Sequence, residues 1–85
     1  MWFVYILKSI NYNFIYIGST NDVQRRLKEH NTGLSKSTSP YKPFELETYI
    51  AVKTEKKARD LEKYFKTGSG KAILKKRILA DEALA

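Results

Sequence analysis

The chain opens on an unbroken apolar run, "MWFVYIL", Met1 to Leu7, rich in the aromatic and β-branched residues that favour strands. A run with no polar face reads as a β-strand covered on both sides, so the rest of the chain must supply a layer above it and a layer below. "SINYN", Ser9 to Asn13, is a turn, because Asn tolerates left-handed backbone and its side chain bonds locally. Phe14 to Gly18 then returns as a second strand. A third, "FELETYIAV" (Phe44 to Val52), is entered through Pro40 and Pro43. Its alternation places Phe44, Leu46, Ile50 and Val52 on one face and two glutamates on the other.

Three helices fill the gaps. Asn21 has the character of an N-cap, with Gln24 at the capping-box position, and Asn31-Thr32-Gly33 is a stop signal, so the first helix is expected over residues 22–31. Thr54 caps a second helix running to Lys66, where "TGSG" ends it, and a third runs from Lys71 to about Ala80. Gly33 to Lys42 is loop, rich in Ser and Thr. The order β-β-α-β-α-α implies an α+β fold: a three-stranded antiparallel sheet flanked by three helices. Its 85 residues are expected to form one domain, 1–85, with a modest core.

Composition removes several chemistries. There is no cysteine, so disulfides and thiolate metal sites are excluded, and a single histidine excludes an all-histidine zinc site within one chain. The apolar start is too short for a membrane span or signal peptide, so a cytoplasmic protein with no membrane partner is expected, as a monomer or weak dimer. Sixteen Lys and Arg against nine Asp and Glu leave a net charge of +7. That balance points either to a polyanionic partner, nucleic acid above all, or to a plain basic surface.

Side-chain phase then selects candidates. Tyr5 and Tyr16 share a face of the hairpin if the turn between them is even in length; both also suit a strand as ordinary residues. On the first helix Val23 and Leu27 form the apolar stripe, with His30 about 20° from Val23 and Arg26 about 40° further round. Arg25 points the opposite way, toward solvent or an outer nucleic-acid backbone. A cation beside the buried stripe costs desolvation unless an anion pairs with it or its head snorkels to water. On the second helix Glu62 sits among the inward residues Ala58, Leu61 and Phe65. An inward carboxylate needs a cation, hydrogen-bond donors or a metal, and Arg26 is one available partner. Lys66, Lys71, Lys75, Lys76 and Arg77 form either a phosphate-gripping surface or a solvated face.

The order of these features resembles the GIY-YIG nucleases. "YIG" stands at Tyr16-Ile17-Gly18, and "FVY", Phe3-Val4-Tyr5, stands for the first half of the motif, with phenylalanine in place of glycine. The likeness runs from Phe3 to about Lys66 and is strongest to small stand-alone members, which carry "VYIL" and "YIGSTNDVQRRLKEHN" almost as here. The resemblance implies that Tyr5 and Tyr16 are the motif tyrosines, one serving as base or positioning the attacking water. It further implies that Arg26 stabilises the scissile phosphate, that Glu62 holds one divalent ion, Mg²⁺ or Mn²⁺, and that His30 fills a site position. Ser19 stands where some members have lysine, and with Arg25, Lys66, Lys71 and Lys75 is expected to meet the nucleic acid. No asparagine follows Asn31, although many members have one downstream of the glutamate. The activity implied is metal-dependent hydrolysis of DNA phosphodiesters. A non-catalytic nucleic-acid-binding module with the same fold is the alternative.

Overall fold

Because no face of the first strand is polar, it settles where both faces can be covered. In the computed structural model, which describes residues 1–79, β1 (Trp2–Ser9) lies between β2 (Ile15–Thr20) and β3 (Phe44–Val52) in an antiparallel sheet of order β2-β1-β3. Val4, Tyr5, Ile6 and Leu7 are all buried. The remaining elements are α1 (Val23–Asn31), α2 (Glu55–Phe65) and α3 (Gly68–Ile73), with a 3₁₀ turn at Ser39–Tyr41 and a π turn at Leu74–Ile78. The α+β fold expected from the sequence is the one observed.

Each face of the sheet carries its own core. Val4 and Ile6 join Ile17, Ala58, Phe65 and Leu74 on the side of α2 and α3, with Leu61 packed against them. Tyr5, Leu7 and Phe44 form the other core, against which Val23 and Leu27 of α1 are laid. The apolar stripes expected on both helices therefore face the sheet.

β3 departs from its expected alternation. Ile6 pairs with Thr48 but Leu7 pairs with Leu46, which leaves Glu47 as an extra residue in the ladder. One extra residue turns every later side chain to the opposite face. Phe44 and Leu46 accordingly pack on the α1 side, while Ile50 and Val52 pack on the α2 side. A period-two pattern that looked like one face serves both, because a bulge leaves no mark on the alternation itself.

The helix ends also move. Asp22, not Asn21, caps α1: its backbone is extended, and its carboxylate accepts the Arg25 amide at 3.0 Å while Thr20 Oγ1 accepts the Asp22 amide at 3.0 Å. Gln24 is therefore one place short of the capping-box position. The "TGSG" segment ends α2 and also starts α3, since Thr67 Oγ1 accepts the Gly70 amide at 3.1 Å, so the third helix begins three residues earlier than expected. Its expected end at Ala80 lies outside the described residues. Asn31 closes α1 onto the sheet: its side-chain amide donates to the Phe44 carbonyl at 3.1 Å and accepts the Phe44 amide at 2.6 Å.

The α2–α3 corner rests on a glycine. A Cβ at Gly70 would sink into the Tyr64 carbonyl, backbone that cannot step aside, whereas one at Gly68 meets nothing. Gly70→Ala should therefore cost about 1–3 kcal/mol or more, as overpacking does. Gly68→Ala should be neutral or stabilising by about 0.4–1 kcal/mol. Chemical denaturation of the two variants checks the contrast, and equal effects would mean that the corner is looser than described.

Candidate active site

Two tyrosines converge on one glycine. Tyr5 pairs with Gly18 and Leu7 with Tyr16, so the tyrosines are diagonal neighbours on the α1 face, with ring centroids 6.0 Å apart. A Cβ at Gly18 would stand 2.6 Å from the Tyr5 hydroxyl and 2.9 Å from a Tyr16 ring carbon. Only glycine leaves room for both rings.

A chain of hydrogen bonds begins at the Tyr5 hydroxyl. Arg26 Nε donates to it at 3.4 Å, and His30 Nε2 lies 3.1 Å from it. On the far side of the imidazole, Nδ1 is 2.8 Å from Thr38 Oγ1, which itself donates to the Ser35 carbonyl at 3.4 Å. Arg26 can only donate, and it faces both the Tyr5 hydroxyl and His30 Nε2. Nε2 is therefore best read as the acceptor, taking the Tyr5 proton, with the imidazole proton on Nδ1 toward Thr38. His30 and Thr38 are buried, and burial sets the protonation of the group. Desolvation pushes the Tyr5 phenol up to about 12, against the opposing hydrogen bond from Arg26. It also holds His30 below its ordinary 6.5, with repulsion from Arg26 adding to the effect. Burial works against the Arg26 charge, yet its bonds to Tyr5 and Glu29 keep its pKa above the usual guanidinium value.

Across β2 lies a second polar group. Ser19 points to the α2 face and donates to Glu62 Oε1 at 2.7 Å, while Lys66 Nζ donates to Oε2 at 2.7 Å. Burial raises the Glu62 pKa, but these two donors outweigh it and hold the carboxyl below its ordinary value. Glu62 is thus paired with Ser19 and Lys66; Arg26 takes Glu29 of its own helix instead. The two groups approach each other round the open edge of β2, where the Lys66 ammonium stands 5.9 Å from the Tyr16 ring centroid.

The expected site residues therefore divide. Tyr5, Arg26 and His30 are bonded together, with Tyr16 packed 4.7 Å from His30 between ring centroids. Ser19, Glu62 and Lys66 form the adjoining cluster. Lys71 lines the same groove as Tyr16 and Lys66. Arg25 faces outward, bonded to Asn21 and paired with Glu29, and Lys75 is exposed on the π turn. Thr38 and Glu29 complete the site without having been singled out. The spacing of Glu29, three residues after Arg26, is a readable helix-pair signal; nothing local marks Thr38 within its Ser- and Thr-rich loop.

The chain matches the family model described as the GIY-YIG catalytic domain over residues 1–77. The chain belongs to the GIY-YIG family. A UPF0213 protein of Bacillus pumilus (strain SAFR-032) is 37% identical to it over 70 residues, which are 81% of this chain and 70% of the relative. No solved structure matches it at a significant level. GIY-YIG proteins are generally nucleases, which act on nucleic acid, and the family supports a nuclease-type function here. No helix among the described residues is long and apolar enough to cross a membrane.

GIY-YIG nucleases typically use a divalent metal. No group of three or more His, Asp or Glu side chains among the described residues can hold an ion. An ion here would rest on Glu62 alone. An ionised, partly exposed carboxylate fits a hard cation that keeps most of its water, once the long Lys66 arm swings aside.

The neutral, buried His30 makes stability depend on pH. Its folded pKa is depressed, so the unfolded chain takes up the proton first as pH falls. The His30 contribution should be full above about pH 6.5 and lost as pH drops through the folded value. Asp60 and Glu62, also depressed, add a separate loss that begins lower, in the carboxyl range. Melting temperature should fall between about pH 7 and 5, and His30→Gln should flatten that window. An unchanged slope in the variant would assign the proton to another group.

Proposed function

We infer that this GIY-YIG domain is a divalent-metal-dependent endonuclease hydrolysing DNA phosphodiester bonds at the edge of β2. The observation that carries the reading is the hydrogen bond from Arg26 to Tyr5. It aims a guanidinium along a face whose other chemical groups are Tyr16 and, round the edge, Glu62.

In this reading the two tyrosines do different work. Tyr5 is buried and bonded on both sides, so it positions Arg26 and does not meet substrate. Tyr16 is partly exposed and lines a groove, so its hydroxyl orients the attacking water. Arg26 spends Nε on Tyr5 and Nη1 on Glu29. Nη2 lies 3.4 Å from His30 Nε2, whose one lone pair is shared with the closer Tyr5 hydroxyl, so a phosphate oxygen competes for Nη2 easily. A donor fixed in this way costs no reorganisation as charge builds on the phosphorane. His30, wholly buried, acts by holding Tyr5 and fixing its proton. Glu62 would hold Mg²⁺ or Mn²⁺, which when bound neutralises phosphate charge and stabilises the leaving oxygen. Ser19 keeps Glu62 oriented toward the edge.

Nicking of supercoiled plasmid tests the reading. The wild-type protein should nick with Mg²⁺ or Mn²⁺ and not with a chelator present. Glu62→Gln should abolish nicking while folding and binding persist, and Tyr16→Phe should slow it by about 10²-fold, the scale of a positioned proton transfer. Binding without nicking under every metal condition would support the non-catalytic module instead.

The adjacent arginines provide an internal comparison. Arg26→Ala should lower the nicking rate by about 10²- to 10³-fold, as loss of one preorganised donor does. Lysine at position 26 should restore little, since it lacks the planar fork. Arg25→Ala should mainly weaken binding and reduce its salt dependence by about one phosphate contact. Rates for both alanine variants at one salt concentration decide the matter; equal losses would mean that both act through bulk charge.

A further inference from the structure

Beside Tyr16 the open edge of β2 forms the floor of a cavity of about 490 Å³. One end holds Phe14 and Tyr41, stacked in parallel with centroids 4.0 Å apart and planes 8° apart. Tyr12, itself exposed, meets Tyr41 edge-on at 5.8 Å. Lys66 and Lys71 line the same cavity. The Tyr41 main chain is anchored by Ser9, whose hydroxyl donates to its carbonyl at 2.6 Å, and its ring is held by stacking on Phe14. None of these aromatics is needed for the hydrolysis described above.

We propose that this cavity is a base-binding subsite, in which an unstacked base of a single-stranded nucleic acid lies against the Phe14–Tyr41 pair while its flanking phosphates meet Lys66 and Lys71. The proposal rests on the hydrolytic reading for the identity of the polymer, because the cavity includes Tyr16. Apolar ring faces beside two ammonium groups match a nucleotide, which is a flat π-surface joined to an anion. A duplex keeps its base faces stacked on one another and offers only edges in its grooves. The site therefore favours substrates that are unpaired next to the cleaved bond, whether DNA or RNA, since both offer the same base and phosphate.

Fluorescence anisotropy with a short labelled oligonucleotide, without divalent metal, tests this apart from cleavage. The single strand should bind at least about 10-fold more tightly than the same sequence as duplex, at one salt concentration. Scanning one abasic residue along the strand should reveal a position where affinity falls by about 10-fold. Tyr41→Leu should remove that penalty, and Tyr49→Leu, an exposed aromatic on β3 outside the cavity, should keep it. Parallel DNA and RNA strands identify the polymer. Duplex binding as tight as single-strand binding, or no abasic position that matters, overturns the subsite. If Tyr41→Leu does not fold, the abasic scan on the native protein decides alone. A protein that shows the abasic penalty but never nicks refutes the hydrolytic reading and supports the subsite; one that nicks without the penalty does the reverse.

Discussion

The Tyr5 hydroxyl is a polar group placed where water does not reach, and much of the molecule is arranged to satisfy it. Left unpaired at that depth it would cost roughly 1–3 kcal/mol. It is met instead by an arginine on one side and a histidine on the other, both from α1. That requirement fixes the rotation of α1 on the sheet and explains why Arg26, not Arg25, turns inward. It fixes the imidazole tautomer, which in turn demands a hydroxyl from the loop at Thr38. It also demands a bare backbone at Gly18, since the phenol lies over that residue. Core packing and site geometry here are the same set of contacts.

The two halves of the site are held on opposite faces of one strand. Successive residues of β2 alternate, so Tyr16 and Gly18 serve the α1 side and Ser19 the α2 side. An edge strand is the place where groups on opposite faces can still address one substrate, because no further strand among the described residues pairs with β2 to separate them. Lys66 shows how short the passage is, since its ammonium reaches both Glu62 and the Tyr16 ring.

How much of this could be read from residues alone depended on whether the signal was periodic. β1 and the inward stripes of α1 and α2 follow from fixed periods of two or 3.6 and were legible. The shared face of Tyr5 and Tyr16 also needed the parity of the turn, which the pairing of β1 with β2 supplies. Arg26 beside His30 followed from the same helical phase. The bulge at Glu47 was not legible, because the residue itself is an ordinary exposed glutamate and the slip is imposed by pairing with β1. Asn21 and Asp22 have equal capping propensity, and the choice between them depended on Thr20 taking the Asp22 amide. Which cation and which donor would meet Glu62 stayed open for a related reason. Lys66 lies four residues along the same helix, yet the pairing matters only because Ser19 arrives from another element to share the carboxylate.

The Asn31 side chain treats the main chain of Phe44 as another strand would, giving and receiving one bond each. Residues 32–43 are thereby tied off at their neck, and the free-energy cost of changing such a closed loop grows only slowly with its length. The stretch can therefore change in length without shifting α1 or the arginine it bears. Two positions escape that freedom. Thr38 answers to His30, and Tyr41 is tied to Ser9 and stacked on Phe14, so variation in the loop is tethered at both.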